Sequence, residues 1–574
     1  MVFHSPSWVP SMPIDPPDSI SIAEFMSDDS YGRYPMATTR NPFTCGLTGK
    51  TFTALEVVER ELYLARAISK RLNLDYDSSE WERVMAIFSL NTIDYAPVTH
   101  AIHRLSGIVT PVNPAASALE LEYQLRSSHA IALFTCNALA KTALQAAKAV
   151  GIAIDRIFIL PMADDRQDSE LATIEDLVLE GRTLSDLGVK KWSRGQGARQ
   201  VAYLCFSSGT SGLPKAVMVS HYNIIANIIQ LSTYESSYRK QQGIDSQTLL
   251  GLLPFSHAYG LVVMAHVAPY RGDEVIVLPK YKLETLLTTV QRFKIEQINI
   301  APPILVQMVS NYDKCKLYDL SSIRFIYTGG APLASETMES LSAQYPKWHI
   351  GQIYGMTETA VCVTSTSETD MVPGSAGSLL PGIKAKIVDI HGKEVTNYDT
   401  PGELLVQGPA VTLGYQHNDA ATADTFIWDH QGRWIRTGDE AVVRLSPNGY
   451  EHLFIIDRIK ELIKGLQVAP AELEAHLLTH PYVSDCAVIQ VPDTHSGEVP
   501  KAFVVKSQEA NQKADTEVAK AIREDVKNHK AHYKWLAGGV EFIEVIPKSP
   551  TGKILRRVLR DKEKKSRKAV EPNL

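Results

Sequence analysis

Short apolar runs alternate with amphipathic helical patterns through most of the chain. Runs typical of buried strands occur at Val84–Leu90, Ile131–Thr135 and Ile157–Leu160. Helical periodicity separates them, for example at Ala116–Arg126 and Ala138–Val150. Strands that alternate with helices form parallel sheets whose two faces are covered by the helices. The pattern therefore predicts a large α/β domain.

The pattern changes near residue 402. Glu403–Gly408 and Ala441–Leu445 have the character of strands separated by Gly, Pro and Asn turns, which predicts a small β-rich subdomain from about residue 402. The charged segment Asp457–Glu461 is followed by further predicted strands and helices, typical of a separate α+β unit. We therefore expect an N-terminal domain over 1–456, a junction over 457–461 and a C-terminal domain over 462–574.

Composition narrows the class of protein. The chain has 574 residues, which is too long for a single core, so two or more domains are expected. Its 44% hydrophobic and 21% charged residues are ordinary for a soluble globular protein. The net charge of -6 leaves no dominant basic surface, which argues against a nucleic-acid partner. The most apolar window, Leu249–Tyr270, contains Pro254, His257 and His266, so we interpret it as core or pocket wall and expect no membrane span.

Cysteine spacing and the chain ends indicate the compartment. The six cysteines are scattered and none forms a CxxC pair, which suits a reducing environment and provides no thiolate metal site. The N-terminal segment lacks the apolar stretch of a secretory signal. The last three residues, Pro572-Asn573-Leu574, differ from a Ser-Lys-Leu-type peroxisomal address. We expect a cytoplasmic protein rather than a peroxisomal one.

A loop rich in hydroxyl residues and glycine, Ser207–Lys215, follows the apolar run Val201–Phe206 and so begins where a strand ends. Backbone N–H groups and hydroxyls in such a loop can surround polyphosphate oxygens, and Lys215 adds a positive charge. The loop differs from a Walker A motif because Ala216 follows the lysine where Ser or Thr would hold Mg²⁺. A flexible surface turn is the alternative interpretation.

A second site is predicted at Tyr354–Thr359, downstream of another glycine turn at Gly329–Leu333. The tyrosine can stack on adenine. The hydroxyl of Thr357 and the carboxylate of Glu358 can meet phosphate and Mg²⁺. A helix N-cap with a nearby glutamate is the structural alternative.

Four further residues are candidates for the same site as these two loops. Asp439, just after a glycine, offers two acceptor oxygens to the hydroxyls of a ribose, although the segment also resembles an ordinary turn. Arg458 could reach the same sugar or the α-phosphate. Lys553, in the cationic segment Pro547–Lys553, can neutralise a carboxylate that attacks the α-phosphate; a solvated lysine is the alternative. His257 could line an acid pocket, or be a satisfied core histidine.

In this order, the motifs resemble those of the acyl-adenylate-forming superfamily. Within it, the chain looks like the 4-coumarate–CoA ligase branch, and most like fungal aryl- and acyl-CoA ligases of the phenylacetate–CoA ligase kind. The resemblance extends from Phe25 to Lys564 and rests on Ser207–Lys215, Gly329–Leu333, Tyr354–Glu358, Thr437–Asp439, Asp457–Glu461, Val468–Glu474 and Pro547–Lys553. It implies an ATP-dependent enzyme that activates a carboxylic acid as acyl-AMP, releases pyrophosphate and passes the acyl group to coenzyme A (CoA).

The resemblance also implies a role for each motif position. The ATP-binding residues would be Ser207, Ser208, Gly209, Thr210, Ser211, Gly212, Lys215, Gly330, Ala331, Pro332, Gln352, Tyr354, Gly355, Thr357, Asp439 and Arg458. Glu358 would hold Mg²⁺. The catalytic set would be Lys553, His257, Lys464 and Gln467. Lys460 would be the hinge about which the C-terminal domain rotates between the two half-reactions.

The acid pocket implied by the resemblance is largely apolar, which predicts a hydrophobic aryl or acyl monocarboxylate as substrate. Its lining would be His257, Tyr259, Val263, Tyr327, Gly329 and Ile353. Ile353 stands where plant coumarate ligases carry glycine, which argues against a simple transfer of their substrate.

A second departure concerns thioester formation. Lys464 runs directly into Gly465, whereas the family usually has two further residues between them. An acyl-AMP ligase that loads a carrier protein therefore remains an alternative, as does a nucleotide-binding relic of the fold.

Overall fold

The computed structural model describes residues 1–75, 78–163, 170–188, 191–207, 214–329, 335–459, 468, 470–493, 497–530, 532–549 and 552–570. Its strands are β1 Val2–Phe3, β2 Phe43–Cys45, β3 Thr51–Phe52, β4 Val84–Phe88, β5 Ile108–Pro111, β6 Ala132–Thr135, β7 Ile157–Ile159, β8 Val201–Ser207, β9 Lys215–Ser220, β10 Thr248–Gly251, β11 Glu274–Val277, β12 Gln297–Ile300, β13 Phe325–Gly329, β14 His349–Met356, β15 Val361–Ser365, β16 Ser378–Leu379, β17 Lys384–Val388, β18 Gly402–Gln407, β19 Gly414–Tyr415, β20 Phe426–Asp429, β21 Gly432–Leu445, β22 Glu451–Arg458, β23 Val483–Asp493, β24 Gly497–Lys506 and β25 Val540–Phe542.

The helices are α1 Ile22–Ser27, α2 Ala54–Leu72, α3 Tyr95–Arg104, α4 Ala118–Ser128, α5 Ala140–Val150, α6 Ile174–Arg182, α7 Gln196–Arg199, α8 His221–Gln241, α9 Ala268–Tyr270, α10 Leu283–Phe293, α11 Pro302–Ser310, α12 Tyr312–Cys315, α13 Ser335–Gln344, α14 Asp419–Thr425, α15 Pro470–Leu477, α16 Asp515–His529 and α17 Arg556–Val570. A π-helix covers Gly260–Val267. Among the described helices, none is both long and apolar enough to cross a membrane.

Two mainly parallel sheets form the body of the chain, and the predicted α/β class is confirmed. One has seven strands in the order β19-β9-β8-β5-β4-β6-β7, and the other has nine in the order β16-β15-β14-β13-β12-β10-β11-β2-β3. Strands β4 to β7 are buried along their whole length, as expected when helices cover both faces. The first-domain strands and helices predicted from the apolar pattern are all present, with ends shifted by a few residues.

Helix α8 follows β9 of the seven-stranded sheet and precedes β10 of the nine-stranded sheet. Its N-terminus has a capping box, in which Ser220 accepts from the N–H of Asn223, and almost all of its first turns are buried. Three polar side chains on this buried helix donate to main-chain carbonyls: Asn223 to Pro409 and Val411, Asn227 to Cys362, and Gln230 to Pro381. Because buried amides need partners, these bonds fix the chain around residues 362–411 against α8.

A six-stranded antiparallel sheet follows, with β1-β17-β18-β21-β20 in order and β22 paired to β21. It begins at β17 and also takes in β1 from the N-terminus, so it is larger than the module predicted from residue 402. Thr437–Asp439, which resembled a turn, lies inside the long strand β21, where Gly438 has a φ of +70°. The C-terminal segment forms a three-stranded sheet, β23-β24-β25, with α15, α16 and α17 around it.

Candidate active site

The predicted phosphate loop is the connection of a β-hairpin. Ser207 ends β8 and is paired with Lys215, the first residue of β9. The tip of the loop, which contains the predicted residues Ser208, Gly209, Thr210, Ser211 and Gly212, lies outside the described residues. At its base, Ser207 Oγ donates to Glu358 Oε1 at 3.1 Å, and Lys215 Nζ lies 4.8 Å from the centre of the Tyr415 ring. The structure therefore brings the base of the first motif against the carboxylate of the second.

The second motif carries a buried acidic residue, Glu358. It lies in the 3₁₀ turn Thr357–Thr359, is 6% exposed, and accepts hydrogen bonds from Ser207 and from Tyr415 Oη at 2.9 Å. Burial and the nearby Glu358 raise the pKa of Tyr415, and they also raise the pKa of Cys205 to about 12. A carboxylate surrounded by hydroxyls is a hard oxygen ligand set, which fits Mg²⁺.

The backbone beside Glu358 is tightly constrained. A Cβ on Gly355 would lie 1.4 Å from the carbonyl oxygen of Val361, so only glycine fits this position. Val361 itself has a φ of +99° and Ala360 a φ of +46°, values that side chains with a Cβ rarely adopt. Such strain, next to a break in the register of β14 and β15 after Tyr354, is typical of a functional segment.

Tyr354 and Asp439 meet at the boundary of two sheets. Tyr354 Oη donates to Asp439 Oδ2 at 2.7 Å, and Arg458 Nε lies 3.1 Å from Asp439 Oδ1. Burial and the Asp439 charge raise the pKa of the tyrosine, which therefore stays protonated as a donor. Asp439 is 3% exposed, its carboxylate is oriented by both partners, and its main-chain N–H donates to Thr437 Oγ1. Three residues predicted to contact the nucleoside are thus in mutual contact.

The structure also brings together several residues of the predicted acid pocket. A Cβ on Gly329 would lie 2.8 Å from Ile353 Cγ2 and 3.2 Å from Tyr259 Cε1, so these three residues share one small space. Val263 lies on the π-helix that follows Tyr259, an irregularity frequent at functional sites. Tyr327, two residues before Gly329 on β13, donates to the carbonyl of Thr366 at 3.2 Å. These contacts bring together three of the six residues predicted to line the pocket: Gly329, Ile353 and Tyr259.

The C-terminal arm reaches the same cleft. A Cβ on Gly552 would lie 3.0 Å from Pro303 Cγ and 3.3 Å from Ala301 Cβ, at the end of β12 and the start of α11. The adjacent Lys553 is close enough to His257 to act on it: desolvation and the Lys553 charge lower the pKa of His257 to about 4. The imidazole retains an exposed surface, yet protein crowds it on the remaining sides, and its Nδ1 accepts from the N–H of Tyr259 at 3.2 Å. The histidine therefore lies near a lysine of the C-terminal segment, and its lowered pKa keeps it neutral at pH 7.

Several predicted residues are placed less directly or lie elsewhere. Gln352 is on β14, where its N–H donates to Thr366 Oγ1 at 3.0 Å, and Thr357 opens the turn that carries Glu358. The predicted residues Gly330, Ala331, Pro332, Lys460, Lys464 and Gln467 lie outside the described residues.

Sequence reasoning missed two residues of the site. Tyr415, which bonds Glu358, follows a glycine in no motif that we recognised. Asn299 donates through Nδ2 to Tyr259 Oη at 3.0 Å and continues a buried amide chain from Gln297. The polar residues at 297 and 299, alternating in an apolar strand, were the signal that could have indicated Asn299.

Comparisons with known proteins agree with this geometry. The family model described as AMP-binding enzyme matches residues 38–416, and the model described as AMP-binding enzyme C-terminal domain matches residues 472–553. The chain is 43% identical over 570 residues to the acyl-CoA ligase AFT1-1 of Alternaria alternata, covering 98% of this chain and 97% of that protein. It is 37% identical over 571 residues to the acyl-CoA ligase easD of Emericella nidulans, covering 98% of this chain and 100% of that protein.

A solved structure gives the same fold. The anthranilate CoA ligase AuaEII in complex with anthranoyl-AMP superposes with a TM-score of 0.78 at 22% identity, covering 96% of this chain and 98% of that one. The matches confirm the resemblance that the ordered motifs predicted.

Proposed function

This chain belongs to the AMP-binding enzyme family, and we propose that it is an AMP-forming acid–CoA ligase for a hydrophobic aryl or acyl monocarboxylate. The observation that carries the proposal is the position of the Gly552–Lys553 arm, which packs on Ala301 and Pro303 beside His257. A lysine near His257 supports this proposal, because the reaction needs a cation where the acid meets the α-phosphate.

In the first half-reaction, an oxygen of the carboxylate attacks the α-phosphorus of ATP, and the bond from that phosphorus to the bridging oxygen breaks to release pyrophosphate. The two anionic reactants repel each other, and negative charge builds on the phosphoryl oxygens. Lys553 offsets both effects, which is electrostatic stabilisation by a preorganised cation. His257 is neutral, so it does not offset the negative charge of the reactants. We propose that it lines the path of the carboxylate.

The nucleotide is held by three groups of residues. Asp439, oriented by Tyr354 and Arg458, accepts hydrogen bonds from the ribose hydroxyls. The hairpin from Ser207 to Lys215 meets the β- and γ-phosphates. Glu358 would hold Mg²⁺, which would supply positive charge beside the phosphates.

In the second half-reaction, the CoA thiol loses its proton and its sulfur attacks the acyl carbon, and AMP leaves. Lys553 and the thiol need the same approach to that carbon, so the C-terminal domain must rotate between the steps. We propose Lys460 as the hinge and Lys464 and Gln467 as residues of the loop that enters for this step. The shortened Lys464–Gly465 loop is the feature that favours the carrier-protein alternative.

Substrate class follows from the pocket. Gly329, Ile353 and Tyr259 lie close together and carry mainly apolar atoms, which supports a hydrophobic monocarboxylic acid. The six cysteines form no disulfide, in keeping with a proposed location in the reducing cytoplasm.

The test is an incubation of the enzyme with ATP, Mg²⁺ and a panel of aryl, phenylacetic, cinnamic and medium-chain acids, with and without CoA. We expect acid-dependent pyrophosphate release in both arms and acyl-CoA only when CoA is present. Pyrophosphate release without acyl-CoA would exclude the CoA ligase and favour the carrier-protein alternative. Absence of acid-dependent pyrophosphate release across the panel would overturn adenylation itself. The variant Lys553→Ala should lose adenylation, whereas Lys565→Ala, an exposed lysine of α17, should not.

A further inference from the structure

Two helices of the C-terminal domain bring three metal-ligating side chains together. His476 is in the last turn of α15, and Asp525 and His529 are one turn apart on α16. One ligand atom from each residue lies within 4.8 Å of those from the other two. Leu473, Leu477 and Ile522 pack the two helices together beneath the cluster, so the helix spacing is fixed by a buried core.

The distance between His476 and Asp525 is that of two ligands that share one ion. His476 Nε2 lies 3.0 Å from Asp525 Oδ2. Ligand atoms bound to one metal at about 2.0–2.2 Å, with angles between about 90° and 110°, are separated by roughly 3.0–3.5 Å. His476 Nε2 is buried and, despite its short distance to the carboxylate, has no partner with hydrogen-bond geometry. The nitrogen therefore lies beside the carboxylate but does not form a hydrogen bond with it.

From this arrangement we propose that His476, Asp525 and His529 form a binding site for a divalent transition-metal ion of the Zn²⁺ class. Two imidazoles and one carboxylate select such an ion over Mg²⁺ or Ca²⁺, which prefer oxygen ligands, and a water would complete the coordination. His529 Nδ1 also lies 2.9 Å from the main-chain carbonyl of Asp525, the kind of partner that fixes the ring of a metal-bound histidine when its other nitrogen ligates.

The ion would join α15, the helix next to the domain junction, to α16. Asp457 accepts from the N–H of Ala471 at 3.2 Å, so α15 is attached directly to the end of β22. Neighbouring positive charge is already compensated, because Lys530 and Lys534 both pair with Glu472. Binding to the folded state alone stabilises it, so the metal should raise the thermal stability of this domain. The three ligands lie outside the proposed catalytic residues, and their loss should leave the ligase reaction unchanged.

The test uses the untagged full chain, since an affinity tag of histidines would bind the same ions. Co²⁺ is titrated in excess Mg²⁺ and followed by its visible absorption, for the wild type, His476→Gln, His529→Gln and the control His391→Gln, an exposed histidine of the β-rich sheet region. We expect one equivalent of Co²⁺ to bind to the wild type and to the control, and at least about tenfold weaker binding in the two site variants. Zn²⁺ should raise the melting midpoint of the wild type and the control only.

His529 is mainly exposed, so His529→Gln should fold normally, and circular dichroism without metal checks this. Equal Co²⁺ affinity and equal Zn²⁺ stabilisation in all four proteins would overturn the proposal, as would a wild type that binds no Co²⁺. Ligase activity in Mg²⁺ is measured in parallel: it should be equal in all four proteins, and a loss confined to the site variants would contradict the separation of this site from catalysis.

Discussion

Tyr354 on β14 donates a hydrogen bond of 2.7 Å to Asp439 on β21, and so connects the nine-stranded sheet to the six-stranded sheet at the proposed nucleoside site. Arg458, paired with Asp439 in the β21–β22 register, holds the other carboxylate oxygen. The carboxylate is therefore oriented before any nucleotide binds, which lowers the ordering cost of binding.

The first prediction concerns this carboxylate. Asp439→Asn should raise the KM for ATP about 10–100-fold, because hydrogen bonds to a charged group are worth about 1.5–3 kcal/mol. Tyr354→Phe should have a smaller effect, since the ring and the carboxylate both remain. Steady-state pyrophosphate release at varied ATP measures both. An unchanged KM in Asp439→Asn would contradict the assignment of the ribose to this residue.

The second prediction separates the two half-reactions. Gly552 has a φ of +81°, and a Cβ there would crowd Pro303 Cγ at 3.0 Å, so Gly552→Ala should displace the Lys553 arm and slow adenylation. Gly539→Ala is the matched control: Gly539 has a φ of +94° in the same domain, but a Cβ there would meet nothing within 4 Å. Both variants carry similar backbone strain, and only one disturbs the contact between domains.

Single-turnover assays would measure each step in these two variants. Formation of acyl-AMP should fall in Gly552→Ala and not in Gly539→Ala, while transfer of a preformed acyl group to CoA should be retained in both. Equal losses of adenylation would mean that general strain, and not the docked arm, explains the effect.

The sequence predicted the parts of the fold that depend on local pattern. Apolar runs located β4, β6 and β7, and the glycine- and hydroxyl-rich motifs located both loops of the site. Long-range pairing could not be predicted in this way: Val2 pairs with Lys386 across the β-rich sheet, and no local signal specifies that register. Asp439 resembled a turn residue because Gly438 precedes it, but a β-strand accommodates one glycine at positive φ when its neighbours are paired.

The residues of the site also divide into those that a local motif identifies and those that only long-range pairing brings near. Motifs named Tyr354, Glu358 and Asp439, but their partners Tyr415 and Asn299 belong to segments that only the tertiary fold brings near. A buried carboxylate needs hydrogen-bond donors, and sequence alone does not say which elements supply them.

The third prediction concerns the width of the acid pocket. Ile353→Ala removes the side chain that approaches Gly329, so acids with a bulkier group near the pocket wall should gain in kcat/KM relative to slender ones. The change in preference should be about 10–200-fold, since a hydrophobic pocket discriminates by about 1–3 kcal/mol per methylene. Val263→Ala, at another wall of the pocket, tests whether the effect is local. Identical changes in preference for both variants would argue for general loosening of the pocket.

The fourth prediction is a loss of thermal stability in mild acid. His221 and His266 are buried in the first domain. Burial lowers the pKa of His221 to about 3, and burial together with the nearby His100 lowers the pKa of His266 to about 3. His221 Nδ1 accepts from the N–H of Ile22 at 3.1 Å, so its protonation would place two N–H groups against each other. The unfolded chain takes up these protons near pH 6.5, whereas the folded chain does not until about pH 3. Stability should therefore be unaffected by these groups above about pH 7 and should fall steadily as the pH drops below 6.5.

Melting midpoints between pH 7.5 and pH 5, at one scan rate, measure this loss. His221→Asn keeps an acceptor for Ile22 but cannot take up a proton, so its midpoint should fall less steeply with acid than that of the wild type. His417→Asn is the control, because His417 is exposed, has a φ of +52° that asparagine tolerates, and should keep the wild-type slope. Each unit of pKa difference corresponds to about 1.4 kcal/mol, so removing one buried histidine should change the slope measurably. A variant at position 221 that follows the wild-type curve would show that other groups cause the acid sensitivity.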